Sequence, residues 1–239
     1  MSNTYFQFKQ FTIHQERCAM KVCTDACLFG AWVAEKVDSW KMTVGSVLDI
    51  GTGTGLLSLM LAQKTKAHID AIELDKHAAE QAIENFEESD WKEHLQVITG
   101  DARIVHLGRK YDLIISNPPF FENDLKSTDA QRNLALHSEE LNLPELLSVI
   151  KMNIAVKGKF AVLLPYHRKD TFEKLAVDQG FYLEEEVSVK QTPNHSCFRT
   201  MFLFSTIEVS AKRSEMIIRN EDQYTSTFSV LLKDYYLKL

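Results

Sequence analysis

No stretch of this chain approaches the roughly 20 consecutive apolar residues that a membrane-spanning helix needs. The segment Met1 to Phe11 carries no basic stretch followed by an apolar run, so no secretory leader is expected and the chain reads as cytoplasmic. Cysteine is scarce, with four in 239 residues. Cys18, Cys23 and Cys27 lie close together but form no paired C-x-x-C and have no adjacent histidine pattern. They do not match a zinc site, and no metal is expected. Free thiols of a reducing compartment fit better. Positive charge is not in excess either: 27 Lys and Arg stand against 33 Asp and Glu, for a net charge of −6. That excludes a protein that coats nucleic acid without specificity and leaves room for a local basic patch on an acidic body. Internal repeats and low-complexity segments are absent. Glycine and proline are few, nine and five, so each marks a particular place.

What is present is an alternation of short apolar runs with longer helical patterns. Ser46 to Ile50, Ile69 to Glu73, Leu95 to Thr99, Asp112 to Ser116 and Lys159 to Leu163 read as buried strands. Leu56 to Lys64, Lys76 to Glu88, Pro144 to Ile154 and Asp170 to Gln179 read as helices. Such alternation predicts a parallel sheet with helices on both faces, an α/β fold. Two later runs, Tyr182 to Val189 and Thr200 to Ile207, flank the polar segment Gln191 to Ser196 and predict an antiparallel pair. Glu215 to Asp222 is polar and reads as a loop, and Ser226 to Leu239 as a final helix with Phe228, Leu231, Leu232 and Tyr235 on one side. Residues 1–24, where Phe6, Phe8 and Phe11 alternate with polar residues, form an N-terminal extension to a single domain spanning 25–239. Trp32, Trp40 and Trp91 fit packing positions.

The first strand runs into Asp49-Ile50-Gly51-Thr52-Gly53-Thr54-Gly55, with a helix opening at Leu56. Glycines in such a loop allow a tight turn and close approach of a ligand to the backbone. The spacing is G-x-G-x-G after an acidic residue, whereas a dinucleotide fold carries G-x-G-x-x-G. Asp49 would repel a pyrophosphate but can accept from an ammonium group. That suits the methionine end of S-adenosylmethionine, which carries an amine and a carboxylate. Glu73, at the end of the second strand, is placed to hydrogen-bond ribose hydroxyls, while Asp75 is placed to cap the next helix. Asp101, after the third strand, can accept from an adenine amino group, or serve only as a turn residue.

The fourth strand leads into Asn117-Pro118-Pro119-Phe120-Phe121. Ligands of open α/β sheets bind beyond the carboxyl ends of strands. An exocyclic amine on a planar base is a weak nucleophile because its lone pair is delocalised. The Asn117 side-chain oxygen and the Pro118 carbonyl can accept from its N–H groups and draw the nitrogen towards tetrahedral geometry. Pro118 and Pro119 stiffen the loop and remove competing donors, and Phe120 offers a ring on which a base stacks. As an isolated string the four residues would be a rigid turn; their place at a strand end carries the inference.

Together, Asp49-x-Gly51-x-Gly53-x-Gly55, Glu73, Asp101 and Asn117-Pro118-Pro119-Phe120 resemble the class I N6-adenine methyltransferases. Two further stretches, Met20-Lys21-Val22-Cys23-Thr24-Asp25-Ala26-Cys27-Leu28-Phe29-Gly30-Ala31-Trp32 and Thr192-Pro193-Asn194-His195-Ser196-Cys197-Phe198-Arg199-Thr200, are similar to the bacterial tRNA1(Val) (adenine(37)-N6)-methyltransferase family. The resemblance covers nearly the whole chain. It implies a Rossmann-like fold with a seven-stranded, mostly parallel sheet and an antiparallel C-terminal hairpin. It further implies S-adenosyl-L-methionine as methyl donor, adenosine 37 of a tRNA as acceptor, and Thr24 and Asp25 near the cofactor. The family commonly has glycine where Cys23 stands; a positive φ there would disfavour cysteine. No obligate protein partner is evident.

Lys9, Arg17 and Lys21 against Glu16 give the N-terminal piece a local charge of +2, with His14 beside them, a candidate RNA contact. Arg132, His137, His195 and Arg199 are further candidates at the substrate side. Asn-Pro-Pro followed by an aromatic also serves methyltransferases acting on rRNA or DNA bases or on a protein glutamine amide, so the core motif leaves those acceptors open. A dehydrogenase needs the other glycine spacing, and a binding protein without chemistry would not need Asp49, Glu73, Asp101 and Asn117 together.

Overall fold

A computed structural model describes residues 3–18, 20–40, 44–118 and 141–239. The chain opens with a hairpin, β1 (Tyr5–Gln7) and β2 (Thr12–His14), and the helix α1 (Thr24–Ser39). Strands and helices then alternate: β3 (Ser46–Ile50), α2 (Leu56–Ala62), β4 (His68–Glu73), α3 (Lys76–Glu87), β5 (Leu95–Thr99) and β6 (Tyr111–Ser116). After residue 141 come α4 (Leu143–Asn153), β7 (Ile154–Pro165), α5 (Lys169–Asp178), β8 (Tyr182–Lys190), β9 (Cys197–Ser205) and β10 (Lys212–Ile217). A two-stranded ribbon, β11 (Arg219–Asn220) with β12 (Gln223–Tyr224), and α6 (Ser226–Leu232) complete it.

The main sheet has the order β10-β8-β9-β7-β6-β3-β4-β5. Strands β7, β6, β3, β4 and β5 pair parallel, and β9 runs antiparallel to both β7 and β8. The expected parallel sheet and antiparallel hairpin are both there, but the sheet has eight strands and not seven. The extra strand is β10, which pairs parallel to β8 and takes in part of the segment read as a polar loop. Its first four residues, Lys212, Arg213, Ser214 and Glu215, are exposed and Met216 is buried. An edge strand of this kind carries charge to block further pairing, so its composition imitates a loop.

The central strands are apolar on both faces because both are covered. Val47, Ala161 and Leu163 belong to one cluster with α1, α2, the N-terminal hairpin and the C-terminal segment. Their chain neighbours Leu48, Phe160 and Val162 point to the other face, against α4 and α5. There the rings of Phe160 and Phe204 stack at 5.0 Å, with Phe172 set edge-on to Phe204.

The first residues are part of the core. Phe8 and Ile13 are buried, Phe8 stacks on Phe11 at 4.5 Å, and Phe11 meets Trp91 edge-on. The Lys9 amide donates to the Tyr235 carbonyl at 2.8 Å, and the Tyr235 hydroxyl donates to the Met60 carbonyl at 3.0 Å. Chain start, chain end and α2 therefore meet at one place. Asp75 caps α3 as expected, accepting from the Ala78 amide at 2.7 Å. Cys23 has φ −128° and ψ 157°, ordinary extended backbone, so cysteine is unstrained there. Replacing Phe8 by alanine is expected to lower unfolding free energy by about 3–5 kcal/mol, the usual result of emptying a buried ring site. Urea unfolding would show no change if the hairpin were only appended to the domain.

Candidate active site

The site lies at the carboxyl ends of β3, β4 and β6, where three strand ends are stitched together before any loop begins. The Ser116 hydroxyl donates to the Ile50 carbonyl at 2.8 Å, joining β6 to β3. The Gly51 and Thr52 amides both donate to the Ile72 carbonyl, at 2.9 and 3.1 Å, joining the glycine loop to β4. The Gly100 amide donates to the Glu73 carbonyl at 2.8 Å and brings in the end of β5.

Gly51, Gly53 and Gly55 all have positive φ, between 57° and 83°. The third glycine is fixed twice over, since a Cβ there would lie 2.4 Å from the Phe86 ring of α3. At Gly51 and Gly53 an added Cβ would meet no atom of the described residues within 4 Å. Glu73 spans this loop. One carboxylate oxygen accepts from the Gly53 amide at 2.8 Å and the other from the Asp75 amide at 2.9 Å. Each oxygen keeps a lone pair for a further donor.

Asp49 is fully buried. Its Oδ2 accepts from the Thr52 and Ser58 hydroxyls, both at 2.7 Å, and so ties the loop to α2. Its Oδ1 is buried without a hydrogen-bond partner among the described residues. Burial pushes the Asp49 carboxyl up to about 6, with the two hydroxyl donors pulling it back.

Asn117 follows β6 directly, and Pro118 after it is buried. The Asn117 Oδ1 is also buried without a partner among the described residues. A buried amide oxygen left unpaired is costly unless a ligand supplies the donor. Pro119 and Phe120, with Arg132 and His137, lie outside the described residues.

Asp101 follows β5 and is already engaged. Oδ1 accepts from the Arg103 amide and Nε, and Oδ2 from Nε and Nη2, at 2.7–2.9 Å. These bonds hold its carboxyl below the usual carboxylate range. Arg103 also reaches Glu145 of the α4 capping box at 3.5 Å. An adenine amine could use Asp101 only by sharing it with Arg103.

Thr24 opens α1, and Asp25 accepts from Arg199 Nε of β9 at 2.7 Å. Arg199 lies opposite Pro165 at the end of β7, so this pair fastens the start of α1 to the same edge of the sheet. His195 Nδ1 lies 2.7 Å from the Thr192 hydroxyl within the exposed β8–β9 connection. The basic side chains of the N-terminal piece are tied to the protein itself: Arg17 to Glu84, Lys21 to the Gln15 carbonyl and Lys9 to the Lys233 carbonyl, with the His14 ring 3.2 Å from Glu88. Among the described residues no group of three or more His, Cys, Asp or Glu could hold a metal.

Sequence reasoning missed Ser58, Ser116, Arg103 and Asn85, all of which hold the site in shape. Asn85 alone left a signal. It sits on the stripe Ala78, Ala82 and Phe86, where a polar residue has no reason to be unless it is bonded.

The raised Asp49 value has a testable consequence. The folded state holds this proton more tightly than the unfolded chain, whose carboxyl titrates near 3.8. The stability it contributes is full below that value and is lost as pH rises through about 6. Relative to Asp49→Asn, the wild-type protein is expected to lose up to about 3 kcal/mol between pH 4 and pH 7. Paired urea titrations giving a constant difference across that range would refute the raised value.

Comparison with known proteins agrees with this geometry. The family model of the methyltransferase small domain matches residues 33–158. A tRNA1(Val) (adenine(37)-N6)-methyltransferase of Bacteroides fragilis is 38% identical over 243 residues, covering 100% of both chains. Among solved structures, a predicted O-methyltransferase from Agrobacterium tumefaciens superposes with a TM-score of 0.66 at 14% identity, over 88% of this chain and 96% of its own. A glycopeptide N-methyltransferase complexed with S-adenosyl-L-methionine gives 0.53 at 12% identity, over 73% and 93%. At those identities the structures speak for the fold. The full-length sequence match goes further: the chain belongs to the tRNA1(Val) (adenine(37)-N6)-methyltransferase family, within the methyltransferases of the small-domain type.

Proposed function

We propose that this protein transfers a methyl group from S-adenosyl-L-methionine to the exocyclic N6 of adenosine 37 in tRNA1(Val). The observation that carries the reading is the unpartnered, buried Asn117 Oδ1 at the end of β6, beside the glycine loop of β3. The residues at the other strand ends fit the donor. Glu73 offers spare lone pairs to ribose hydroxyls, Asp101 to the adenine amine through the pair it shares with Arg103, and Asp49 Oδ1 awaits a cation. Gly51, Gly53 and Gly55 let the methionine end approach the backbone, and Thr24 and Asp25 lie on the α1 side of the site.

The donor supplies an electrophilic methyl on a sulfonium. The protein's part is to aim the amine. Asn117 Oδ1 and the Pro118 carbonyl accept from its two N–H groups, freeing the lone pair to point along the sulfur–carbon axis. Phe120 stacks the base, and Pro119 keeps the loop stiff. With the donor bound, Asn117 and Pro118 would hold the amine while the methyl passes from sulfur to nitrogen, and the nitrogen would then release its proton to solvent. No strong base is needed, so catalysis rests on positioning. A base in an anticodon loop is single-stranded and costs little to present. Among the described residues no helix is long and apolar enough to cross a membrane; the proposed setting is the cytoplasm, where the enzyme meets tRNA without an obligate protein partner. Residues 1–24 are then an extension that braces the domain at 25–239.

The test is methyl transfer from radiolabelled S-adenosylmethionine to total tRNA from a strain lacking the activity, followed by nucleoside analysis. Label in N6-methyladenosine of a valine tRNA is expected; label in ribosomal RNA or a protein glutamine would overturn the acceptor. Asn117→Ala is expected to lower the transfer rate by about 100-fold or more, as loss of an aimed polar group does, with cofactor affinity within a few fold of wild type. Equal loss of cofactor binding on calorimetry would refute this division of labour.

A further inference from the structure

Asn85 of α3 is buried, with 1% of its surface exposed, and every polar atom of its side chain is used. Oδ1 accepts from the His14 amide at 2.9 Å, and Nδ2 donates to the His14 carbonyl at 2.9 Å and to the Thr54 carbonyl at 2.8 Å. The carboxamide thus reads the backbone of His14 as a neighbouring strand would, and its remaining N–H holds the glycine loop. The next residue, Phe86, sets its ring against Gly55. Around the pair, Arg17 and His14 reach Glu84 and Glu88 of the same helix. The C-terminal half of α3 is therefore pressed between the hairpin β1–β2 and the loop Gly51–Gly55.

We propose that Asn85 is a positioning residue for the cofactor loop and that through it the N-terminal hairpin becomes a working part of the cofactor site. The Thr54 carbonyl lies between the second and third glycines, whose positive φ angles define the turn. A loop of three glycines has much freedom to lose, and fixing that carbonyl from outside removes freedom the ligand would otherwise have to remove. The link runs both ways: what orders the loop also orders His14. This inference rests on the glycine loop being the cofactor site.

The experiment compares wild type, Asn85→Ala, Asn85→Asp and Gly53→Ala by calorimetry with S-adenosylmethionine. It adds steady-state kinetics and hydrogen exchange of the amides around His14 with and without S-adenosylhomocysteine. Gly53→Ala tests the underlying reading, because its Cβ meets no atom of the described residues within 4 Å while the positive φ strains any L side chain, so the substitution disturbs the loop itself. Asn85→Ala is expected to raise the cofactor Kd and KM about tenfold, the scale of a buried hydrogen bond left unmade. The kcat at saturating cofactor stays within about twofold, as for lost ground-state binding. The ligand-induced protection at His14 seen in wild type disappears. If Asn85→Ala does not fold, Asn85→Asp answers the same question, since it keeps the acceptor for the His14 amide and loses both donors. Wild-type affinity in a folded Asn85 variant alongside weakened Gly53→Ala overturns the proposal and leaves the site standing. Unchanged affinity in both variants overturns the site as well. A fall in apparent kcat with the KM values for cofactor and tRNA unchanged would show a merely structural role and also overturn it.

Discussion

A carboxylate with no access to solvent governs the arrangement of this molecule. Asp49 stands at the end of the central strand β3, and a charge there would be expensive without compensation. Two hydroxyls supply it, one from the loop that follows and one from the helix after that. The bonds are short range in sequence, yet they decide where the loop turns and where α2 begins. Everything placed on that loop inherits its position from them: the glycine backbone, the Glu73 contact and the Thr54 carbonyl held by α3. One oxygen left over gives the same group a second task, because an unpaired acceptor in a dry place favours a cationic partner. Shaping the turn and preparing a site for charge are here the work of a single side chain.

The layered sheet explains why the remaining groups converge. Parallel strands deliver their carboxyl ends to one edge, so residues far apart in sequence reach it without long loops. Ser116 and the Ile72 carbonyl fix the relative heights of β3, β4 and β6 at that edge, and the Arg199–Asp25 pair adds the β7–β9 end. Asn117 and Pro118 leave this rigid platform within two residues of a strand. If Asn117 meets one hydrogen of a base's exocyclic amine, as proposed, its amide oxygen profits from such short leverage.

Much of this was legible in the chain because it depends on local chemistry. Apolar runs bounded by glycine gave β3 and β5 to the residue, and Asp75 before a helical pattern gave a cap. The Asn-Pro-Pro string gave the place where β6 stops. What stayed hidden depends on partners distant in sequence. Strand β10 reads as a loop because an edge strand has only one neighbour and shows water the charges a loop would show. Arg103 reads as a surface cation because nothing nearby reveals that it holds both oxygens of Asp101. The hairpin at residues 5–14 reads as an appendage, since the surface that receives it is built from α3, Trp91 and Tyr236, all distant in sequence. Pattern reports which residues want burial; it does not report which distant segment buries them.

That last surface has a consequence for how the protein comes into being. The Lys9 amide bonds the carbonyl of Tyr235, and Phe6 and Phe8 pack against Tyr236. On a ribosome, Phe6 and Phe8 emerge long before the Tyr236 that packs against them, a delay of roughly tens of seconds at ordinary elongation rates. For that interval the nascent chain can assemble its parallel strands but carries an open flank at the very segment that steadies the glycine loop. Hairpin and glycine loop can reach their final arrangement only once the segment around Tyr235 has been made.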